Sequence, residues 1–220
     1  MLFMTRQLSV YLASDSTCQS YGKGQFPQAG WGQFIGNYFN GNIKVFNHAI
    51  GGRSSKTFVT EGRLNDILSE MQEGDYLLIQ MGHNDSTLSK PERYTKPQTT
   101  YKVYLKMYVD GARERKGIPV LITPVARLHH EDGGFINDFP DYCDAIKELA
   151  ATENVPLIDL MDRSLECYAS TGYEHASSFF MVSVNGTDCT HFTEKGAERI
   201  AELVAQGIKD LNIGLSEYVK

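Results

Sequence analysis

Asp188-Cys189-Thr190-His191 sets a carboxylate and an imidazole three residues apart. On one loop the two can hydrogen-bond, the Asp fixing the imidazole tautomer and favouring its charged form, as a general base requires. The same pair also suits a helix-capping Asp or a metal pair, although a metal asks for further ligands at recognisable spacing. Ala13-Ser14-Asp15-Ser16-Thr17 is a small-residue turn holding a serine. There a hydroxyl nucleophile would stand beside its own backbone N–H; taken alone, the segment reads more simply as an Asp/Ser turn. Asn47-His48-Ala49-Ile50-Gly51-Gly52-Arg53-Ser54-Ser55 contains a Gly pair. It either exposes backbone N–H groups to an anion or makes a tight turn. Gln80-Met81-Gly82-His83-Asn84-Asp85 offers an amide that could donate to a developing oxyanion. A lone loop Asn more commonly satisfies nearby backbone.

Neither a G-x-G-x-x-G fingerprint nor a G-x-x-x-x-G-K-[ST] phosphate loop is present. His129-His130-Glu131-Asp132 is the other cluster of ligand types, and without paired Cys/His spacing it reads as a polar loop. Cys18, two residues past Ser16, is a rival nucleophile, though a buried thiol is the simpler reading. Cys143 and Cys167 belong to no motif, and spacing sets no disulfide pairing.

These residues need elements to hold them. Leu8 to Ala13, Ile43 to Asn47, Tyr76 to Met81, Pro119 to Thr123 and Pro156 to Leu160 are short apolar runs, as strands buried on both faces are. Helical patterns lie near residues 29–39, 61–72, 98–116, 138–153 and 193–211, the last capped by Thr193. Trp31 falls in the first of them and is a core candidate. Strand and helix in alternation predict an α/β fold, a parallel sheet covered on both faces. Ligands of such sheets sit at the carboxyl ends of the strands. The Ser, Gly and Asn turns each follow a strand, and Asp-x-x-His precedes the last helix. The polar connections 85–98 and 127–140 would form walls of a site. Residues 173–187 read as irregular, with Phe179-Phe180-Met181 exposed.

The chain has 21 Lys+Arg against 27 Asp+Glu, a formal charge of −6, which opposes a nucleic-acid partner. Its length fits one domain over residues 1–220. Four cysteines are too few for a disulfide scaffold. No run reaches the roughly 18 apolar residues of a membrane span, and the first residues lack the parts of a secretory signal. The expectation is a cytoplasmic protein that does not bind membranes.

The four blocks in this order resemble the SGNH (GDSL-type) hydrolases. Ser16 matches the first block, with Ser14 standing where the family has Gly; Ser14 is small, so the turn should survive. Gly52 matches the second, Asn84 the third, and Asp188 with His191 the last. Within the family the chain is similar to the rhamnogalacturonan acetylesterases. That likeness rests on residues 49–58 with Glu61-Gly62-Arg63, on 75–85, on Thr123-Pro124-Val125-Ala126-Arg127 and on 188–197. The resemblance covers residue 8 to about residue 205. It implies a three-layer α/β/α, flavodoxin-like sandwich on a five-stranded parallel sheet, and removal of O-acetyl groups from pectin-type oligosaccharides.

The resemblance also implies roles. Ser16 would be the nucleophile, His191 the base and Asp188 its partner. The Ser16 and Gly52 N–H groups and the Asn84 amide would form the oxyanion hole, with no cofactor and no metal. Arg53, His83 and Arg127, beside these blocks, are candidates for binding sugar hydroxyls or a galacturonate carboxylate, or for supporting the loops. Two other functions compete: another SGNH esterase (acetylxylan esterase, lysophospholipase or thioesterase) and a non-catalytic carbohydrate-binding protein.

Overall fold

The computed structural model describes residues 7–220. Five strands form its central sheet: β1 Leu8–Ala13, β2 Ile43–Asn47, β3 Tyr76–Gln80, β4 Ile118–Ile122 and β5 Leu157–Ile158. Their order is β2-β1-β3-β4-β5, all parallel. Val10 sits between Val45 and Tyr76, and Leu78 pairs with Val120. The central strands β1, β3 and β4 are almost wholly buried, while the edge strand β2 is half-buried. Apolar runs with little alternation belong to strands covered on both faces, so this pattern follows from position in the sheet.

Helices cover both faces. Helices α1 Ser55–Thr60, α2 Arg63–Glu70, α3 Lys102–Glu114 and α4 Pro140–Glu153 pack in succession as one layer. Helix α5 Leu160–Thr171 and the final helix, Glu194–Asp210, pack on each other, and the final helix also packs on the turns at residues 31–38. Between those two helices run the short helices α6 Tyr173–Ser177 and α7 Val182–Asn185, so the final helix is α8. The architecture is the three-layer α/β/α sandwich expected, with one continuous core reaching from Val10 to Leu215. Among the described residues no helix is long and apolar enough to cross a membrane.

Several local expectations are corrected. The pattern at 29–39 is two 3-10 turns, Trp31–Gln33 and Ile35–Tyr38. Gly30, Gly32 and Gly36 lower its helix propensity, and Gly30 and Gly32 press against the Cys18 and Gln19 backbone, where a side chain would collide. Trp31 is buried and donates from Nε1 to Gln80 Oε1 at 2.9 Å. The pattern at 61–72 divides into α1 and α2 at Glu61-Gly62. The fifth strand keeps only Leu157–Ile158, because Asp159 already caps α5 by accepting from Asp162 N. Helix α5 itself has no counterpart in the sequence reading. The stretch 173–187 is ordered and carries α6 and α7, and Phe179, Phe180 and Met181 are buried.

Candidate active site

The strand order reverses between β1 and β3, and their carboxyl ends open a crevice there. Ser16 leaves β1 on a tight turn. Asp15, buried beneath it, accepts from Thr17 N and Thr17 Oγ1, both at 2.9 Å, and its carbonyl accepts from Cys18 N and Gln19 N. Ser14 is buried and donates from Oγ to the Gln80 carbonyl at 2.8 Å. The hydroxyl that replaces the family's glycine therefore has a partner, and the turn survives as expected. Asp15 Oδ2 lies 3.5 Å from His83 Nδ1. Burial pushes the Asp15 pKa up, but the neighbouring His83 ring and the hydrogen bonds from Thr17 outweigh it and hold the carboxyl below its ordinary range.

His191 comes from the far end of the chain. Its loop is held by β-bridges and backbone hydrogen bonds. Phe192–Thr193 pairs antiparallel with Gln28–Ala29, and Phe180 bridges Phe192. Met181 N donates to the His191 carbonyl at 2.8 Å and Val182 N to the Asp188 carbonyl at 2.7 Å. The segment that read as irregular is thus the support of the loop. His191 Nε2 lies 2.9 Å from Ser16 Oγ, and Nδ1 lies 2.8 Å from Asp188 Oδ2. An ionised carboxylate only accepts, so Nδ1 carries the proton and Nε2 faces the serine hydroxyl as an acceptor. Burial alone would raise the Asp188 pKa; hydrogen bonds from the His191 and Thr190 N–H groups and the His191 ring outweigh it, lower the pKa and keep the carboxyl ionised.

Gly52 follows β2 with φ +79°, a left-handed conformation that favours glycine. Neither its N–H nor that of Ser16 donates to any group among the described residues. Asn84 Nδ2 donates one hydrogen to the Arg53 carbonyl at 2.9 Å, which leaves its second hydrogen available. Asp85 ties the two turns together. Its carboxylate accepts from Ser55 N at 3.0 Å and, at Oδ1, from Thr95 Oγ1 at 2.8 Å, and Ser55 Oγ also donates to it.

Ser16, Gly52, Asn84, Asp188 and His191 line one open cleft of about 560 Å³, joined by His83 and Arg127. Arg53 is not among the lining residues. Its Nε reaches Glu61 at 3.0 Å and its Nη1 the Gly51 carbonyl at 2.8 Å, which turns the guanidinium onto the protein. Arg93 stands in the cleft instead, with Gln19, Tyr21 and Thr87. Sequence reasoning missed Arg93; its only signal was membership of the polar connection 85–98. Cys18 is buried, and desolvation with the nearby Asp15 charge drives its pKa well above the ordinary thiol value, so it is not poised as a thiolate. All four cysteines are free thiols. Among the described residues no three His, Cys, Asp or Glu side chains gather as a metal set, and His129 pairs with Asp138 at 2.7 Å.

A parallel sheet with a Ser–His–Asp chain at its switch point, beside free N–H groups and an amide, has the form of an ester hydrolase. The chain belongs to the GDSL-like lipase/acylhydrolase family, whose model matches residues 15–204. It is 57% identical over 210 residues to the Bacillus subtilis protein named "Probable rhamnogalacturonan acetylesterase YesY", covering 96% of each chain. It is 40% identical over 226 residues to rhamnogalacturonan acetylesterase RhgT of the same organism, covering 98% of this chain and 96% of that one. The solved structure of Bacillus subtilis YxiM superposes with a TM-score of 0.85 at 28% identity. That match covers 94% of this chain but spans 58% of the YxiM chain.

Proposed function

We propose that this protein is a serine carbohydrate esterase that removes O-acetyl groups from rhamnogalacturonan-type oligosaccharides. The hydrogen-bonded chain from Ser16 Oγ through His191 to Asp188 carries the reading. The names of YesY and RhgT supply the substrate class. His191 Nε2 takes the Ser16 proton as Oγ attacks the acetyl carbonyl, and the Nδ1–H bond to Asp188 stabilises the imidazolium. Charge developing on the carbonyl oxygen meets the Ser16 and Gly52 N–H groups and the free hydrogen of Asn84 Nδ2. Collapse expels the sugar hydroxyl, protonated by His191. Water, deprotonated by the same imidazole, then releases acetate from Ser16.

The cleft supports a sugar substrate over a long acyl chain, because polar groups dominate its lining: Gln19, Gln25, Thr87, Thr190 and two arginines. Four free cysteines, three of them buried, suit a reducing compartment and favour a cytoplasmic location. The test is acetate release from acetylated rhamnogalacturonan oligosaccharides by wild type and Ser16→Ala. The variant should fall to near background. Retained turnover, or a wild type that prefers octanoyl over acetyl esters, would overturn the proposal.

A further inference from the structure

We propose that Arg93 and Arg127 form a subsite beside Ser16 for the carboxylate of a uronic acid residue in the substrate. This rests on the reading of the cleft as an oligosaccharide esterase site. Both side chains line the cleft that contains Ser16, Asn84 and His191. Elsewhere Arg53, Arg63, Arg113, Arg163 and Arg199 each reach a carboxylate, and Arg115 donates to the Leu68 carbonyl at 3.0 Å. Arg93 and Arg127 reach none among the described residues. Arg93 makes only long contacts to neutral acceptors, Nη1 to the Gly52 carbonyl at 3.5 Å and Nη2 to Thr87 Oγ1 at 3.3 Å. Arg127 lies over the Phe139 ring at 4.8 Å. The Nε atoms of both are buried without a hydrogen-bond partner.

Two guanidinium groups without a carboxylate partner in the cleft that contains Ser16 leave its positive charge for an anionic acceptor still to arrive. The chain is acidic, with a formal charge of −6. Yet the single acidic residue lining the cleft, Asp188, is engaged by His191. The free charge there is positive. Guanidinium groups present planar forks that match a carboxylate in two parallel hydrogen bonds, and stacking on Phe139 pre-orients one fork. A rhamnogalacturonan backbone offers a carboxylate on every galacturonate, so the acetylated sugar or its neighbour would be held by its charge. Methyl esterification keeps the sugar and removes that charge. With charge-assisted hydrogen bonds at stake, the free acid should bind roughly 10- to 100-fold more tightly than its methyl ester.

The experiment is calorimetric binding of deacetylated rhamnogalacturonan oligosaccharide, which carries no acetyl group to remove, as free acid and as methyl ester. Wild type should prefer the acid by about 10- to 100-fold, and the preference should shrink to within about 3-fold in the Arg93→Gln, Arg127→Gln double variant. Equal binding of acid and ester by wild type, or no binding of either, overturns the proposal without reference to any variant. So does a preference that survives in a folded double variant. Hydrolysis of an aryl acetate by wild type is measured alongside. Hydrolysis without acid preference sinks the subsite alone, whereas acid preference without hydrolysis sinks the esterase reading alone.

Discussion

Asp85 has no exposed surface, and its titration should be visible in the stability of the protein. Burial pushes its pKa up strongly. Hydrogen bonds from Ser55 and Thr95 offset part of this, the nearby Asp15 charge adds to it, and the carboxyl comes to rest at about 6 against an ordinary 3.8. A raised carboxyl favours the folded state when protonated. Its contribution is therefore fully present below about pH 4 and is lost as pH rises through about 6, a change of about 3 kcal/mol. Asp85→Asn keeps the shape and removes the titration, so the difference between the two proteins isolates this group. Asp15, Asp159, Asp188 and Glu61 are held below their ordinary values, stabilise in the opposite sense at lower pH, and cancel in that difference. Urea unfolding from pH 4 to pH 7.5 provides the measurement. Wild type should lose about 2.5 kcal/mol relative to the variant across that range, whatever the variant's absolute stability. Stability curves parallel to within about 0.5 kcal/mol would refute the reasoning, because no raised carboxyl would then be at work.

Asn84→Ala should lower kcat on an aryl acetate roughly 100- to 1000-fold with KM little changed, as loss of one oxyanion donor does. A kcat within about 3-fold of wild type would remove Asn84 from the hole. Asp188→Asn should cost roughly 10⁴-fold in kcat, because an amide can donate to Nδ1 and leave Nε2 protonated toward Ser16. Steady-state rates near wild type would show that Asp188 does not set the tautomer. Gly196 lies in the first turn of α8, where a Cβ would collide with the Phe179 carbonyl. Gly196→Ala should therefore cost about 1–3 kcal/mol in thermal unfolding and also reduce kcat, since the Phe179 carbonyl accepts from Thr193 N and so secures the His191 loop. A variant with unchanged Tm and rate would mean that the loop absorbs the methyl group freely.

The four chemistry-bearing blocks were legible because each is local. Ser16, Gly52 and Asn84 lie just beyond strands whose apolar runs are visible in the sequence, and parallel strands deliver their carboxyl ends to one edge. The four strands with five or six residues fall within a residue of the expected limits, since burial on both faces leaves a compositional mark. Helix α5 and the two-residue β5 were less readable, because Asp159 ends the strand and caps the helix in one step. The turns at 31–38 carry a helical spacing of apolar residues, but contact with the Cys18 loop decides their form.

Local chain order carries an inventory: an α/β order of elements, a serine turn, two candidate oxyanion turns and an Asp-x-x-His before a capped helix. Which side chains share the cleft is settled by long-range packing. Pairing of Gln28–Ala29 with Phe192–Thr193 brings together segments more than 160 residues apart and sets His191 against Ser16. No local pattern encodes that contact. The same holds for the arginines: Glu61 captures Arg53 eight residues away, whereas Arg93, on a connection with no motif, lines the cleft with Ser16. A side chain's type is written in the sequence. Its free charge depends on which carboxylates the fold brings within reach, and that is a property of packing.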